Sequence, residues 1–226
     1  GFENGGTPAA NGWTAVNATT DSWVVGIANP PGPSAGTNAG YVSTDGGTTW
    51  SYSQLSTILH LYKDVTIPLG ETIINLSFKW KVGGEGSATS DWDNMKLFWG
   101  IASSIGTPVA NTAISATYQI SGPGAISGMY KLSSATYNSE TITLTGTPGS
   151  TYRLVFSWKS DVSDIVNPPA AIDEVSLVSR MPVTPVPPIS FTASNVTTTS
   201  MDIGWTDNST DEVSFRVYRS TDNINF

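Results

Sequence analysis

The sequence predicts an all-β protein: a jelly-roll β-sandwich over residues 1–180, a proline-rich bridge over 181–188, and the opening part of a second sandwich over 189–226. Three observations carry that prediction. Two runs, ETIINLSFKWKV at 71–82 and TYRLVFSWKS at 151–160, alternate apolar and polar residues with the period of a half-buried strand. Only 12% of the 226 residues are charged, while Gly, Thr, Ser, Pro and eight Trp abound, a mixture that favours short strands and turns over helices. Finally, RMPVTPVPP at 180–188 packs four prolines into seven residues, which makes a stiff extended spacer between two folded parts.

In chain order the strand candidates are DSWVVGIA (21–28), AGYVST (39–44), LYKDVTIP (61–68), the 71–82 run, NMKLFWG (94–100), AISATYQI (113–120), SETITLTG (139–146), the 151–160 run and AAIDEVSLVS (170–179). That is about nine strands, with turn clusters between them at the spacing of a sandwich. Nothing alternates with helical segments as a parallel α/β fold requires. In the 71–82 run Ile74, Leu76, Phe78 and Trp80 share a face, and in the 151–160 run Tyr152, Leu154, Phe156 and Trp158 do the same. We read the two as neighbouring inner strands lining one core, a shared role that explains the likeness of LSFKWK to LVFSWK without a duplicated domain. The octapeptide STDGGTTW at 43–50 fits the Ser-x-Asp-x-Gly-x-Thr-Trp hairpin box of sialidase-like β-propellers. Asp45 and the glycines are expected to close that turn by local hydrogen bonds, with Trp50 packed beneath it. A propeller repeats its blades and this chain offers one box, so the sandwich is preferred.

Past the bridge, Met201, Ile203 and Trp205 lie at two-residue spacing, and Val213, Phe215 and Val217 alternate with Ser214, Arg216 and Tyr218. TDNSTDE at 206–212 supplies the turn, and Phe191 lies on an earlier strand. These make about three strands of a sandwich that needs roughly seven. Forty residues without a cysteine do not close such a core alone. The segment resembles fibronectin type III repeats of bacterial extracellular proteins, through Trp205 and FRVYRS at 215–220, over strands A to C only. The resemblance implies an immunoglobulin-like sandwich and places the chain in a modular surface protein.

A formal net charge of −8 argues against nucleic acid, because no basic stripe exists to recover the counterion-release term. No run approaches the roughly 18 apolar residues of a membrane span. The absence of cysteine leaves the compartment open. No signal peptide is visible, and GFENG is either a mature amino terminus or a boundary within a longer chain.

Catalytic residue types are scarce: one histidine, no cysteine, no Gly-x-Ser-x-Gly elbow and no zinc-type histidine pair. We therefore expect no enzyme activity and read His60 as structural. A glycosidase needs two carboxylates about 5 Å or about 6.5–9.5 Å apart, for which Glu85, Asp91, Asp93 and Asp161 qualify by type alone. A cation site has the better physical basis, since Ca²⁺ takes about six to eight oxygen ligands from irregular loops. Glu3 and Asn4 in GFENG and Asp173 in AIDEV are the candidate ligands. If the first and last strands pair, Glu3 and Asp173 converge and a bound ion pins both chain ends; the plainer reading is of solvent-facing carboxylates. Trp13, Trp23, Trp92 and Trp99 are the available stacking surfaces for a sugar ring. Trp92, between Asp91 and Asp93, is the best placed of them, although a rim tryptophan covering the core is the plainer reading.

The pattern GFENG, DSWVVG, YVSTDGGTTW, DVTIP, LSFKWK, MKLFW, YRLVFSWK and AAIDEVSL looks like the cleaved-adhesin, or choice-of-anchor J, domains of secreted Bacteroidota proteins, relatives of MAM-type jelly rolls. It covers residues 1 to about 180. The resemblance implies a jelly roll with structural calcium, export to the cell surface and a binding role. By position, the family's opening Phe-Glu and closing Ile-Asp fall on Glu3 and Asp173. The resulting expectation is a non-catalytic extracellular adhesion or ligand-binding module for a glycan or an extracellular protein. The alternatives are a structural subunit that assembles with other copies by strand complementation, and an accessory domain of a secreted hydrolase.

Overall fold

Strand alternation gives each run one apolar face, and two five-stranded antiparallel sheets close those faces on each other. The structure, a computed structural model, describes residues 1–27, 32–182, 185–209, 214–222 and 224. Contacts divide the chain into two units, Gly1–Met181 and Pro182–Phe226. The first holds β1 (Thr14–Val16), β2 (Ser22–Gly26), β3 (Ala39–Ser43), β4 (Thr57–Thr66), β5 (Ile73–Val82), β6 (Asn94–Ile101), the single helical turn α1 (Ala102–Ile105), β7 (Gln119–Ile120), β8 (Ser133–Thr145), β9 (Thr151–Ser160) and β10 (Ala171–Arg180). One sheet has the order β1-β4-β9-β6-β7 and the other β2-β3-β10-β5-β8. From β3 to β6, and again from β7 to β10, every connection crosses to the opposite sheet, which is jelly-roll connectivity and leaves no place for propeller blades.

The alternation read from the sequence is the one observed: Ile74, Leu76, Phe78 and Trp80 of β5, and Leu154, Phe156 and Trp158 of β9, are buried. The two strands are not neighbours in one sheet, however. They sit in opposite sheets and meet across the core, with the Phe78 and Phe156 rings 5.2 Å apart. Around that contact an unbroken series of rings runs through the sandwich. Phe2 lies 5.8 Å from Trp13, Trp13 5.8 Å from Phe156, Phe78 5.8 Å from Tyr130, and Tyr130 5.0 Å from Trp80. A backbone position without a side chain admits Phe2: a Cβ on Gly40 would stand 2.8 Å from its ring.

Other expectations fare differently. AISATYQI forms a single 3-10 turn and the two-residue β7 in place of a full strand, because its only apolar burial is partial and much of it is a loop lying on a sheet face. The first and last strands of the unit do not pair: β1 adds to β4, and β10 runs between β3 and β5. Contact between the chain ends comes instead from the Gly1 ammonium, which donates to the Val175 carbonyl at 3.2 Å. The 43–50 box forms as expected. Thr49 N–H and Oγ1 donate to Asp45 at 2.9 and 2.7 Å, and the buried Trp50 indole donates to the Pro169 carbonyl at 3.0 Å.

In the second unit, β11 (Ile189–Ser194) and β12 (Asp202–Thr206) form a two-stranded antiparallel ribbon that includes Phe191, Ile203 and Trp205. The expected third strand is not formed over the described residues 214–222; Phe215 reaches Trp205 at 5.4 Å from irregular backbone, and Val213 lies outside the described residues.

Phe2→Ala removes a fully buried ring that the sandwich cannot easily collapse around, so stability should fall by about 3–5 kcal/mol. At this size that lowers Tm by roughly 10 °C, measurable by thermal unfolding. A loss below about 1 kcal/mol would exclude the amino-terminal segment from the core.

Candidate functional site

With its inner face spent on the core, the β1-β4-β9-β6-β7 sheet presents its outer face as the surface available for a ligand. Register fixes what that face carries. Ile58, Lys159 and Asn94 lie side by side across β4, β9 and β6, followed by His60, Ser157 and Lys96, then by Tyr62, Val155, Phe98 and Gln119. The segment 106–118 folds over one side of this face and is pinned there. Asn111 N–H donates to the Ile58 carbonyl at 2.9 Å, and Ile58 N–H donates back to Asn111 Oδ1 at 3.1 Å. The buried His60 places Nε2 3.2 Å from the Val109 carbonyl and 3.1 Å from that of Thr112. Both partners are acceptors, so Nε2 carries the proton, and Nδ1 has no partner among the described residues. Burial depresses the pKa of His60 and keeps it neutral. Arg153 adds a third clasp, pairing with Asp64 through two 2.7 Å bonds while donating to the Gly106 carbonyl.

Between the pinned segment and the strands lies a pocket of about 270 Å³. Ile58, Phe98, Ile114 and two alanines give it apolar walls; Asn94, Lys96, Gln119, Ser157, Lys159 and Asp91 supply the polar groups. Asp91 joins both lysines, with Lys96 Nζ at 2.9 Å from Oδ1 and Lys159 Nζ at 3.3 Å from Oδ2. Asn94 donates its amide to Asp91 Oδ1 at 2.9 Å and to the Trp92 carbonyl at 3.2 Å, while its own Oδ1, fully buried, has no partner among the described residues. The lysine and amide hydrogen bonds to Asp91 outweigh its partial burial and lower its pKa, so it is a carboxylate at neutral pH.

The three sequence-nominated ligand residues therefore part company. Asp91 stands at the pocket and Trp92, adjacent to it, is 48% exposed. Its ring edge is backed by Gly86, where a Cβ would come 2.6 Å from Cε3. Asp93 turns the other way and is buried, accepting from the Tyr52 hydroxyl and, at 2.9 Å, from Asp161 N–H. Of the other tryptophans, Trp13, Trp23 and Trp99 are core residues.

Asp93 belongs instead to a carboxylate cluster with Glu85 and Asp161, whose oxygens lie within 4.8 Å of one another. Gly84 brings these loops together; its φ is +65° and a Cβ would come 2.3 Å from the Asp93 carbonyl. Burial, aided by the charges of Glu85 and Asp161, outweighs the two donated hydrogen bonds and pushes Asp93 up to about 6.

Glu3 and Asp173 do come to one place, the loop at 34–38, but as hydrogen-bond acceptors. Thr37 N–H and Oγ1 reach Glu3 Oε2 at 3.0 and 2.8 Å, and Asn38 N–H reaches Oε1 at 3.1 Å. Asp173 Oδ2 accepts from Ser34 and Ala35 N–H at 2.9 and 3.1 Å, and Oδ1 from Glu174 N–H at 2.7 Å. A bulge between Asp173 and Ser176 accompanies that position, with Glu174 at φ 50°. Asn4 is exposed and gives its N–H to Asn11 at 2.9 Å. With three donors on each carboxylate, the trio supplies only a small part of a calcium coordination shell.

Of the pocket lining the sequence reading nominated Asp91; Asn94, Lys96, Phe98 and Lys159 are among the residues it missed. Alternation placed Lys159 on an outward face, but only the β6–β9 and β4–β9 registers bring it beside Asn94 and Ile58.

No protein-family model and no curated protein matches the chain. Solved structures with a related outline include a cyclase from Fischerella sp. TAU (13% identity, TM-score 0.43, covering 76% of this chain and 87% of that one). The K1 cleaved adhesin domain of Lys-gingipain from Porphyromonas gingivalis W83 aligns at 18% identity and TM-score 0.40 over 78% and 94%. TmCBM61, solved with β-1,4-galactotriose, aligns at 14% and 0.38 over 74% and 88%. Likeness at this level assigns no activity or ligand to this chain.

The raised pKa of Asp93 has a testable sign. Between about pH 4 and 6 the folded protein holds a proton that the unfolded chain has released, so this group's contribution to stability falls as pH rises through that window. Asp93→Asn removes it. Measured in chelator, the variant should gain on the order of 2 kcal/mol over wild type at pH 7–8 relative to its difference at pH 4. A difference in Tm between variant and wild type that is the same at both pH values would show that Asp93 carries no such penalty.

Proposed function

We propose that residues 1–181 form a non-catalytic, extracellular ligand-binding module that receives a glycan in the outer-face pocket of the β1-β4-β9-β6-β7 sheet. The observation that carries the reading is the pocket itself. Its volume suits one or two sugar rings, apolar side chains offer C–H contacts, and Asn94, Gln119, Ser157, Asp91 and the lysines offer hydroxyl partners. The half-exposed Trp92 beside Asp91 adds a ring against which a further sugar can stack. Hydrolysis of a glycosidic bond calls for two carboxylates across the ligand, and among the described residues the lining includes one. Among the described residues no helix is long and apolar enough to cross a membrane. The extracellular assignment rests on the sequence resemblance to exported adhesin domains.

Structural calcium belongs to this proposal at Glu3, Asn4 and Asp173, as an ion that would tie the amino terminus and β10 to the 34–38 loop. A second reading, self-assembly by strand complementation, is favoured by the second unit. Phe191 of its ribbon and Val217 and Tyr218 of the irregular segment beside it are 66%, 57% and 61% exposed around a cavity of about 280 Å³.

Isothermal titration with a panel of oligosaccharides tests the binding reading: Phe98→Ala should weaken the best ligand about tenfold or more, and Trp92→Ala several-fold. A wild-type chain that binds none of the panel rules it out. For calcium, the ion at roughly 100 times its Kd should stabilise the wild type by about 2.7 kcal/mol, and Asp173→Ala should abolish the rise in Tm; an unchanged response removes Asp173 from the site. Light scattering after size exclusion, in calcium and in chelator, should return a monomer. Polymers would favour the assembly reading.

A further inference from the structure

We infer that the outer-face pocket selects an anionic sugar, one carrying a carboxylate as in a hexuronic acid, with the carboxylate received by Lys96 and Lys159 and a ring hydroxyl donated to Asn94 Oδ1. This rests on the proposed binding role and adds the chemistry of the ligand.

The first observation is a local inversion of charge. The protein carries a formal −8, yet the pocket lining has two ammonium groups and one carboxylate, a net +1. Asp91 is shared between Lys96 and Lys159, so each ammonium receives half of a counter-charge. The lysine side chains are 25% and 33% exposed, which leaves their heads accessible from the pocket. An ammonium has three donors. Lys96 uses one on Asp91, and Lys159 uses its own on the Asp91 carboxylate and main-chain carbonyl. Donors therefore remain for a second anion. Asp91 also fixes the position of the pair: it holds both ammonium groups on one side of the pocket, and Asn94 holds Asp91.

The second observation is independent of charge. Asn94 is a pocket-lining residue whose buried Oδ1 has no hydrogen-bond partner among the described residues, although the amide nitrogen of the same side chain has two. An unpaired buried acceptor costs about 1–3 kcal/mol, and a ligand hydroxyl would relieve it. The ligand thus combines an anion with O–H donors. Phe98, Ile58 and Ile114 add a requirement for apolar C–H surface, which a pyranose ring provides and an inorganic anion does not. The strong overall negative charge disfavours long polyanions, so the fit is to a single acidic residue, at a chain end or isolated among neutral sugars.

The test compares matched pairs by titration calorimetry on the full chain: oligosaccharides ending in glucuronic or galacturonic acid against the same oligosaccharides ending in glucose or galactose, with sodium glucuronate, sodium acetate and inorganic phosphate as small probes. The acidic member should bind about tenfold tighter or better, and the advantage should shrink as NaCl rises from about 0.05 to 0.5 M. Lys96→Met and Lys159→Met, each checked for an unchanged Tm, should remove that preference, weakening the acidic member about tenfold more than the neutral one, which loses only a hydroxyl partner. Asn94→Ser should weaken acidic and neutral sugars alike, and acetate should bind more weakly than glucuronate. Neutral sugars that bind as well as acidic ones, with Phe98→Ala still weakening both, would overturn the charge inference and leave the proposed function standing. Binding of no saccharide, or binding insensitive to every pocket variant, would overturn both. Acetate or phosphate binding as tightly as glucuronate would overturn the sugar assignment.

Discussion

The sandwich depends on one contact, the edge-on meeting of Phe78 of β5 with Phe156 of β9, the central strand of the opposite sheet. Through it the aromatic series from Phe2 to Trp80 becomes continuous, and every strand that supplies a ring is held in register by its neighbours. Because strand side chains alternate, committing Leu154, Phe156 and Trp158 inward commits Arg153, Val155, Ser157 and Lys159 outward. A one-residue slip in β9 would exchange the two sets. The position of the pocket lysines is therefore a consequence of how the core is packed.

The polar interior follows a second rule, that a buried carboxylate is either satisfied or costly. Asp21 accepts from Ser53 N–H and Oγ at 3.0 and 2.7 Å, joining two loops, and Glu140 of β8 accepts from Gly124 N–H at 2.8 Å, tying a loop to a strand. The buried Asp173, and Glu3 at the surface, hold the 34–38 loop in the same way. Asp93 differs, since two neighbouring carboxylates oppose its charge even though its oxygens are hydrogen-bonded. Burial also raises the pKa of Asp173 against its three donors, whereas the donors from Thr37 and Asn38 lower that of the exposed Glu3.

Much of the architecture was legible in the sequence, for reasons visible in particular residues. The β5 and β9 faces and the hairpin box with Trp50 beneath it follow from local pattern, whereas the burial of His60, expected at a strand end or sheet surface, comes from the 106–118 segment that covers it. What was not legible depends on pairing. Nothing in the local sequence distinguishes two core strands that lie side by side from two that face each other, which is how β5 and β9 came to be placed in one sheet. The same limit hid the pocket, whose lining comes from β4, β6 and the turn before it, β7, β9 and the 106–118 segment. Asp91, Trp92 and Asp93 were visible as a cluster because they are consecutive, and the turn entering β6 then sends them to different sides of the sheet. In the second unit, alternation at 213–217 was a fair strand signal that lacks a neighbour to pair with over the described residues.

The segment over the outer face is attached almost entirely through main-chain carbonyls and N–H groups, at Ile58, Gly106, Val109, Asn111 and Thr112. Attachment of that kind is indifferent to most side chains in the segment. Ala113, Ile114 and Ala116 line the pocket without supplying a bond to that clasp. On the proposed reading the fold separates what it would recognise from what it is made of, so that one wall of the pocket could vary on an unchanged scaffold.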